Sequence, residues 1–127
     1  MTRLGWNRLG ITLASITVAA AMGAPALAHH SYAMFDSAQN KQLDGTVQEF
    51  KWTNPHSYIE VLVTDDKGQT QKWTAECGSP AQMVRNGWRS SSLKPGDHVV
   101  LTVHPLRSGE FGGSFVSVQT ADGKLLK

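Results

Sequence analysis

A charge-free run of about fourteen residues, Leu9 to Met22, followed by Gly23-Ala24-Pro25-Ala26-Leu27-Ala28, limits this chain more than any other feature. Arg3 and Arg8 give it a weakly basic start, and Ala26-Leu27-Ala28 fits the small-x-small rule of signal peptidase. The run is too short to remain in a bilayer as a spanning helix. Residues 1–28 are therefore expected to be a cleavable signal peptide. The mature protein is expected in the periplasm, with no stable membrane anchor after cleavage. Cutting after Ala28 leaves 99 of the 127 residues. That length supports one domain with one core and is too short for two.

Export changes the charge argument. The whole chain has 12 Lys and Arg against 10 Asp and Glu. Arg3 and Arg8 leave with the signal, so the mature part is balanced at 10 against 10. A neutral exported domain gives no footing for nucleic-acid binding, and none is expected. Cys77 stands alone, so no intramolecular disulfide can staple the fold. It is expected to be buried as a small apolar residue.

Residues 29–40 are polar and unpatterned and read as an N-terminal arm. Residues 41–127 read as a single β-barrel domain. Leu43, Gly45 and Val47 keep one alternation phase while Phe50 and Trp52 keep the other. A slip beside a glycine predicts a bulge and a bent strand. Asn54-Pro55 ends that strand. Ser57, Ile59, Val61 and Val63 alternate with Tyr58, Glu60 and Leu62, the pattern of a half-buried strand. Asp65-Asp66-Lys67-Gly68 predicts a hairpin turn, and Trp73, Ala75 and Cys77 give the return strand its apolar face. Ser79, Pro80 and Gln82 form the start of a helix that Gly87 ends, with Val84 facing the core near Trp88. Leu93-Lys94-Pro95-Gly96-Asp97 is a turn. Strands follow at Val99–Val103 and Phe115–Thr120, separated by an Arg107–Gly113 loop. Asp122-Gly123 turns the chain into a tail around Leu125 and Leu126.

Three strands, one short helix, then two or three strands is the order of the OB-fold. The predicted fold is mainly β, a small OB-like five-stranded barrel with one short helix between the third and fourth strands. An SH3-like barrel and an open sandwich are the competitors.

Several elements recur together. Ala28-His29-His30-Ser31, Gly45-Thr46-Val47, Trp52-x-Asn54-Pro55-His56, Trp73, Ser79-Pro80-x-x-Met83, Gly87 and Leu93-x-Pro95-Gly96-Asp97 stand in that order. In this the chain resembles DUF6152, a domain-of-unknown-function family of small exported bacterial proteins. The resemblance covers nearly all of the mature chain, and the His-His start and the Asn-Pro-His element are its most specific parts. It implies a periplasmic protein and brings no established activity.

The residues best suited to chemistry are His29, His30, His56 and His104. A terminal His29 offers its α-amine and its ring Nδ1 to one ion. A second histidine can complete a nitrogen-rich site of the kind Cu(II) prefers. An α-amine titrates near pH ~8 and an imidazole near ~6.5 in general, so a metal displaces their protons readily at neutral pH. A cut after Ala26 would put His29 third, again a copper-binding position. The bland reading is a pair of polar histidines opening a loose arm. His56 follows a rigid Asn-Pro turn that can aim its ring. His98 and His104 have the parity opposite to Val99, Leu101 and Val103, so both are expected on the solvent side.

Trp52, Tyr58, Trp73 and Trp88 could stack bases or sugars, but such residues more often fill cores. Glu49, Glu60 and Glu76 are outward carboxylates without a partner signature. No Ser-His-Asp signature, no GxSxG and no phosphate loop is present, so catalysis is the least favoured class. The expected function is a periplasmic binding module, taking copper through its mature N-terminal histidines. The alternative is a non-metal domain that holds a peptide, glycan or periplasmic partner protein on the barrel face.

Overall fold

The structure, a computed structural model, describes residues 32–127. The expected signal peptide, residues 1–28, and the His29–His30 pair lie outside the described residues. The chain enters through a 3-10 turn, Tyr32–Met34, and then forms β1 (Lys41–Lys51), β2 (Tyr58–Thr64) and β3 (Thr70–Glu76). Helix α1 (Pro80–Arg85) precedes β4 (His98–Pro105), β5 (Gly112–Thr120) and β6 (Leu125–Leu126). The strands pair in the order β3-β2-β1-β4-β5-β6, and a β3–β5 pairing closes the barrel. That seam is parallel and short: Thr74 meets Gly112, Ala75 meets Gly113 and Glu76 meets Ser114. Five long strands around one core, with one short helix between β3 and β4, is the predicted barrel. β6 adds a two-residue sixth strand.

Alternation explains the core. Leu43, Val47, Ile59, Val61, Trp73, Ala75, Val99, Leu101, Val103 and Val118 point inward and are buried. The predicted bulge lies between Val47 and Glu49, which lets Phe50 turn back toward the core. Gly45 has a different duty from the one its neighbourhood suggests. A Cβ there would lie 2.5 Å from the Leu62 carbonyl oxygen, so the glycine permits β1 and β2 to approach. The Asn54–Pro55 peptide is cis.

The helix is capped as its sequence implies. Gln82 N–H donates to Ser79 Oγ at 3.3 Å, Pro80 opens the helix, and Gly87 leaves it with φ +85°. One expectation needs correction. Val84 does not face the core; it is 58% exposed, and Met83 is the buried residue. Six residues make under two turns, and the cap sets which of them looks inward. Cys77 is buried, and burial pushes its thiol up to about 12. Thiolate is therefore scarce at neutral pH, and the side chain behaves as a small apolar group. Among the described residues no helix is long and apolar enough to cross a membrane.

Glu60 departs from the picture of a freely solvated outward carboxylate. It is only 8% exposed. Lys51 Nζ donates to it at 2.7 Å, and Lys72 Nζ stands at 3.5 Å. The Lys51 bond holds Glu60 below the ordinary carboxylate range, against the opposing effect of burial. A carboxyl whose folded value is lowered stabilises the fold above its unfolded value and loses that effect as pH falls through the folded one. Glu60→Gln is therefore expected to unfold a few degrees below the parent at pH ~7, with the gap closing in acid. A gap that is unchanged from neutral pH to below the carboxylate range would remove the pair from the account of stability.

Candidate functional site

The strand register assembles one outward-facing row. Tyr58 on β2 pairs with Glu76 on β3, Glu76 pairs with Ser114 on β5, and Ser114 pairs with His104 on β4. Directly paired residues share a face, and neighbouring strands are about 4.8 Å apart. Glu76 and His104 therefore lie two strand spacings from each other, about 10 Å, with the small Ser114 between them.

His56 joins this row from the β1–β2 loop. Ser57 N–H donates to Gly78 O at 3.0 Å, and Cys77 N–H donates to Ser57 O at 2.8 Å. These bonds tie the end of the loop to the end of β3. They bring His56 Nδ1 to 2.5 Å from Glu76 Oε1. With the carboxylate as acceptor, Nδ1 carries the proton and Nε2 is the nitrogen left for another partner. His104 is oriented in the same sense. Its Nδ1 lies 2.8 Å from the Gln39 carbonyl oxygen, which can only accept, so Nδ1 donates and Nε2 has the lone pair. Metal-binding histidines are commonly oriented this way, with the second ring nitrogen donating to a carboxylate or backbone carbonyl. Beside them, burial first and the Glu76 carboxylate second push the Tyr58 phenol above its usual range. It stays a hydrogen-bond donor at neutral pH.

The arm reaches the same place. Tyr32 is 78% exposed. It borders one cavity shared with Glu76 and Ser114 and another shared with His104 and Ser114. The first described residue of the arm thus stands over the row that links His56 to His104. His98 does not belong here. It sits at the other end of β4, where Nε2 pairs with Asp44 Oδ1 at 2.8 Å. Among the described residues no three His, Cys, Asp or Glu side chains form a group able to hold a metal ion. His56 and His104 belong to no such group.

The aromatic residues divide between two roles. Trp73 and Trp88 are core, Trp52 packs partly against the core, and Tyr58 is half-buried on the row. Beside the row runs a groove of about 260 Å³, bordered by Met34, Phe35, Tyr58, Leu106 and Phe111 with Glu76 and Glu110. The sequence reading missed Glu76 as the partner of His56, Ser114 as the small spacer, and the docking of the arm. Only the register could reveal the first two. The third rests on Phe35, buried and paired across a bridge with Leu106, in a stretch whose sequence has no period.

The fold is similar to that in the crystal structure of Rim1, a mitochondrial single-stranded DNA binding protein from S. cerevisiae. The TM-score is 0.50 at 10% identity, covering 65% of this chain and 93% of that one. At that identity the likeness speaks for the barrel alone. The comparison with curated proteins found no match. A family profile described as a family of unknown function, DUF6152, matches residues 17–115, and the chain belongs to that family.

Proposed function

We propose that this protein is an exported, periplasmic copper-binding module whose mature N-terminus carries the first ligands. In this reading His29 supplies its α-amine and ring, His30 or His56 completes a nitrogen-rich set, and His104 stands within reach. The observation that carries it is the row Glu76–Ser114–His104 beneath Tyr32, with His56 oriented by Glu76. His29 lies three residues before Tyr32, a reach of at most about 10 Å. Nitrogen donors favour Cu(II) over Zn(II) in the usual divalent order, and acid weakens binding because protons compete for the same lone pairs.

The test is Cu(II) titration of correctly processed protein beside three variants. One carries an extra residue before His29, which keeps every side chain but moves the amine out of chelating position. The others are His56→Ala and Glu76→Gln. Each is expected to weaken binding, Glu76→Gln by ~10–100-fold as for other partners that orient a ligand. If the extended protein and His56→Ala both bind copper as tightly as the processed parent, this site assignment is wrong.

A second reading rests on the groove beside the row. Met34 and Phe111 are both partly exposed there, on an apolar wall flanked by Glu76 and Glu110. It suits an apolar peptide segment or a partner protein. Glu76 and Glu110 border the groove and oppose a polyanion, so nucleic acid is not proposed. Undiminished copper binding in those two variants would move attention to this groove, with Tyr58→Ala as the first change to make.

A further inference from the structure

The groove beside the row has the size of a slot for side chains. Its volume of about 260 Å³ falls below the ~300–1,000 Å³ of typical small-molecule sites. Met34 and Phe35 of the arm border it on one side, Tyr58 and Phe111 on the other. Phe111 stays 49% exposed although its ring rests against Trp73, 5.5 Å between centroids. These walls are set before anything binds. Met34 O accepts from Arg107 N–H at 2.9 Å, Phe35 bridges to Leu106, and Thr74 N–H donates to Phe111 O at 3.2 Å. A preformed slot spares a ligand the cost of ordering it. Two carboxylates and no cation border the groove. Glu76 is level with Ser114 on the β3–β5 seam, and Glu110 precedes Gly112, so the two stand toward opposite ends. Each keeps spare acceptor capacity. His56 takes Oε1 of Glu76 and Ser108 takes Oε2 of Glu110, and among the described residues the other carboxylate oxygens accept nothing. The cations of the adjoining cavity are engaged: Arg107 with Ala33 O and Asp36, and Lys41 over the Trp73 ring at 5.3 Å.

We propose that this groove captures a segment of a partner protein that presents a lysine or arginine next to an apolar side chain. The proposal rests on the groove reading above and is independent of copper. Its basis is charge complementarity on an apolar wall. A lysine or arginine lays its aliphatic stem along apolar surface and keeps its charged head at the wet rim, where Glu110 and Glu76 accept from it. An uncharged apolar segment would cover the same wall while stripping water from the two carboxylates without return. An acidic segment would meet two like charges. The apolar neighbour supplies most of the affinity, and its loss costs about tenfold. Each exposed carboxylate contributes about two- to fivefold, the usual worth of a solvent-exposed ion pair.

The experiment follows backbone amide shifts of the isotope-labelled protein by NMR, with a chelator present so that copper plays no part. The probes are three end-blocked tetrapeptides, each titrated to about 10 mM so that weak binding registers. The first carries leucine beside lysine between two glycines. The second replaces its lysine with norleucine, and the third replaces its leucine with alanine. The leucine–lysine peptide is expected to move the amides of Thr74, Phe111 and Gly112. The norleucine peptide should bind about two- to fivefold more weakly, and the alanine peptide about tenfold more weakly. Glu110→Gln keeps an acceptor for Ser108 and should weaken the lysine peptide about two- to fivefold while leaving the norleucine peptide unchanged. Glu49→Gln, on β1 outside the groove, should leave the lysine peptide unchanged. Equal binding of the lysine and norleucine peptides at these amides overturns the cation preference and leaves the groove reading intact. Equal losses in Glu110→Gln and Glu49→Gln overturn it too, because the attraction is then to the protein at large. No shift at the groove amides with any of the three peptides overturns the proposal and the groove reading together.

Discussion

Trp88→Ala is expected to destabilise the fold by ~3–5 kcal/mol, a large share of what a domain this size has to lose. Trp88 is 1% exposed and stands at the meeting point of the helix and the barrel. Its ring centroid lies 5.7 Å from that of Phe50 and 5.4 Å from that of Phe115. Its backbone N–H closes the helix by bonding to Met83 O, and its indole Nε1 donates to Lys127 O at 3.1 Å. Truncation to alanine removes the largest fully buried side chain and opens a void beside Met83 and Cys77. The backbone cannot collapse into that void without moving α1 off the barrel. The lost hydrogen bond matters less, because Lys127 is exposed and water can satisfy its carbonyl. Trp88→Phe isolates that part: it keeps an aromatic ring in the cluster and is expected to cost about half as much or less. Denaturant unfolding followed by circular dichroism measures both. A loss under ~1 kcal/mol for Trp88→Ala would mean that the helix is not held to the barrel through this residue.

What could be read in the sequence follows from the range of the interaction involved. Alternation in Ile59 and Val61, and in Trp73, Ala75 and Cys77, is a statement about adjacent residues, and those strands appear where expected. The Ser79–Pro80–Gln82 cap and the Pro95–Gly96 turn are equally local, and both are present. The strand order followed from these elements, and with it the barrel. Features that depend on distant partners were not legible. Phe35 sits in a polar stretch with no period of its own, and the leucine it pairs with is at position 106. Glu60 has the parity of an outward residue; the lysine that shields it, Lys51, comes from a different strand. A six-residue helix is too short for its pattern to distinguish Val84 from Met83 as the inward residue. Gly112 and Gly113 read as loop because glycine weakens an isolated strand, yet both belong to β5.

The candidate site shows the same limit in sharper form. His56 and His104 were recognisable as histidines in useful settings, one after a rigid turn and one of outward parity. The carboxylate that orients His56 lies twenty positions away, and nothing in the sequence selects Glu76 over Glu49 or Glu60. The choice is made by the β2–β3 register and by the Ser57 bonds to β3's end. The link from Glu76 to His104 then depends on the three-residue seam between β3 and β5. Closure of the barrel and assembly of the row are therefore one event.

That seam makes Gly113→Ala the second large effect. A Cβ at Gly113 would lie 2.6 Å from the His104 carbonyl oxygen and 2.8 Å from Val103 Cβ. Neither can move aside, since one is backbone inside the β4–β5 ladder and the other carries a fully buried valine. β5 must shift away from β4, and the three seam pairs on its other edge have little to resist with. Destabilisation of ~1–3 kcal/mol is expected, toward the upper end because the obstacle is backbone. Gly109→Ala provides the contrast. Nothing lies within 4 Å of its Cβ position, and its φ of +81° is the only obstacle, a left-handed conformation that costs about 1–2 kcal/mol for alanine. The two variants also differ in where the damage goes. A strained exposed loop leaves the ladder intact, whereas a displaced β5 separates Ser114 from its partners on both sides. Hydrogen exchange at the seam amides should therefore accelerate in Gly113→Ala and stay near the parent in Gly109→Ala. Equal exchange in the two proteins would show that the seam tolerates a methyl group, and that barrel closure does not depend on the glycine at its centre.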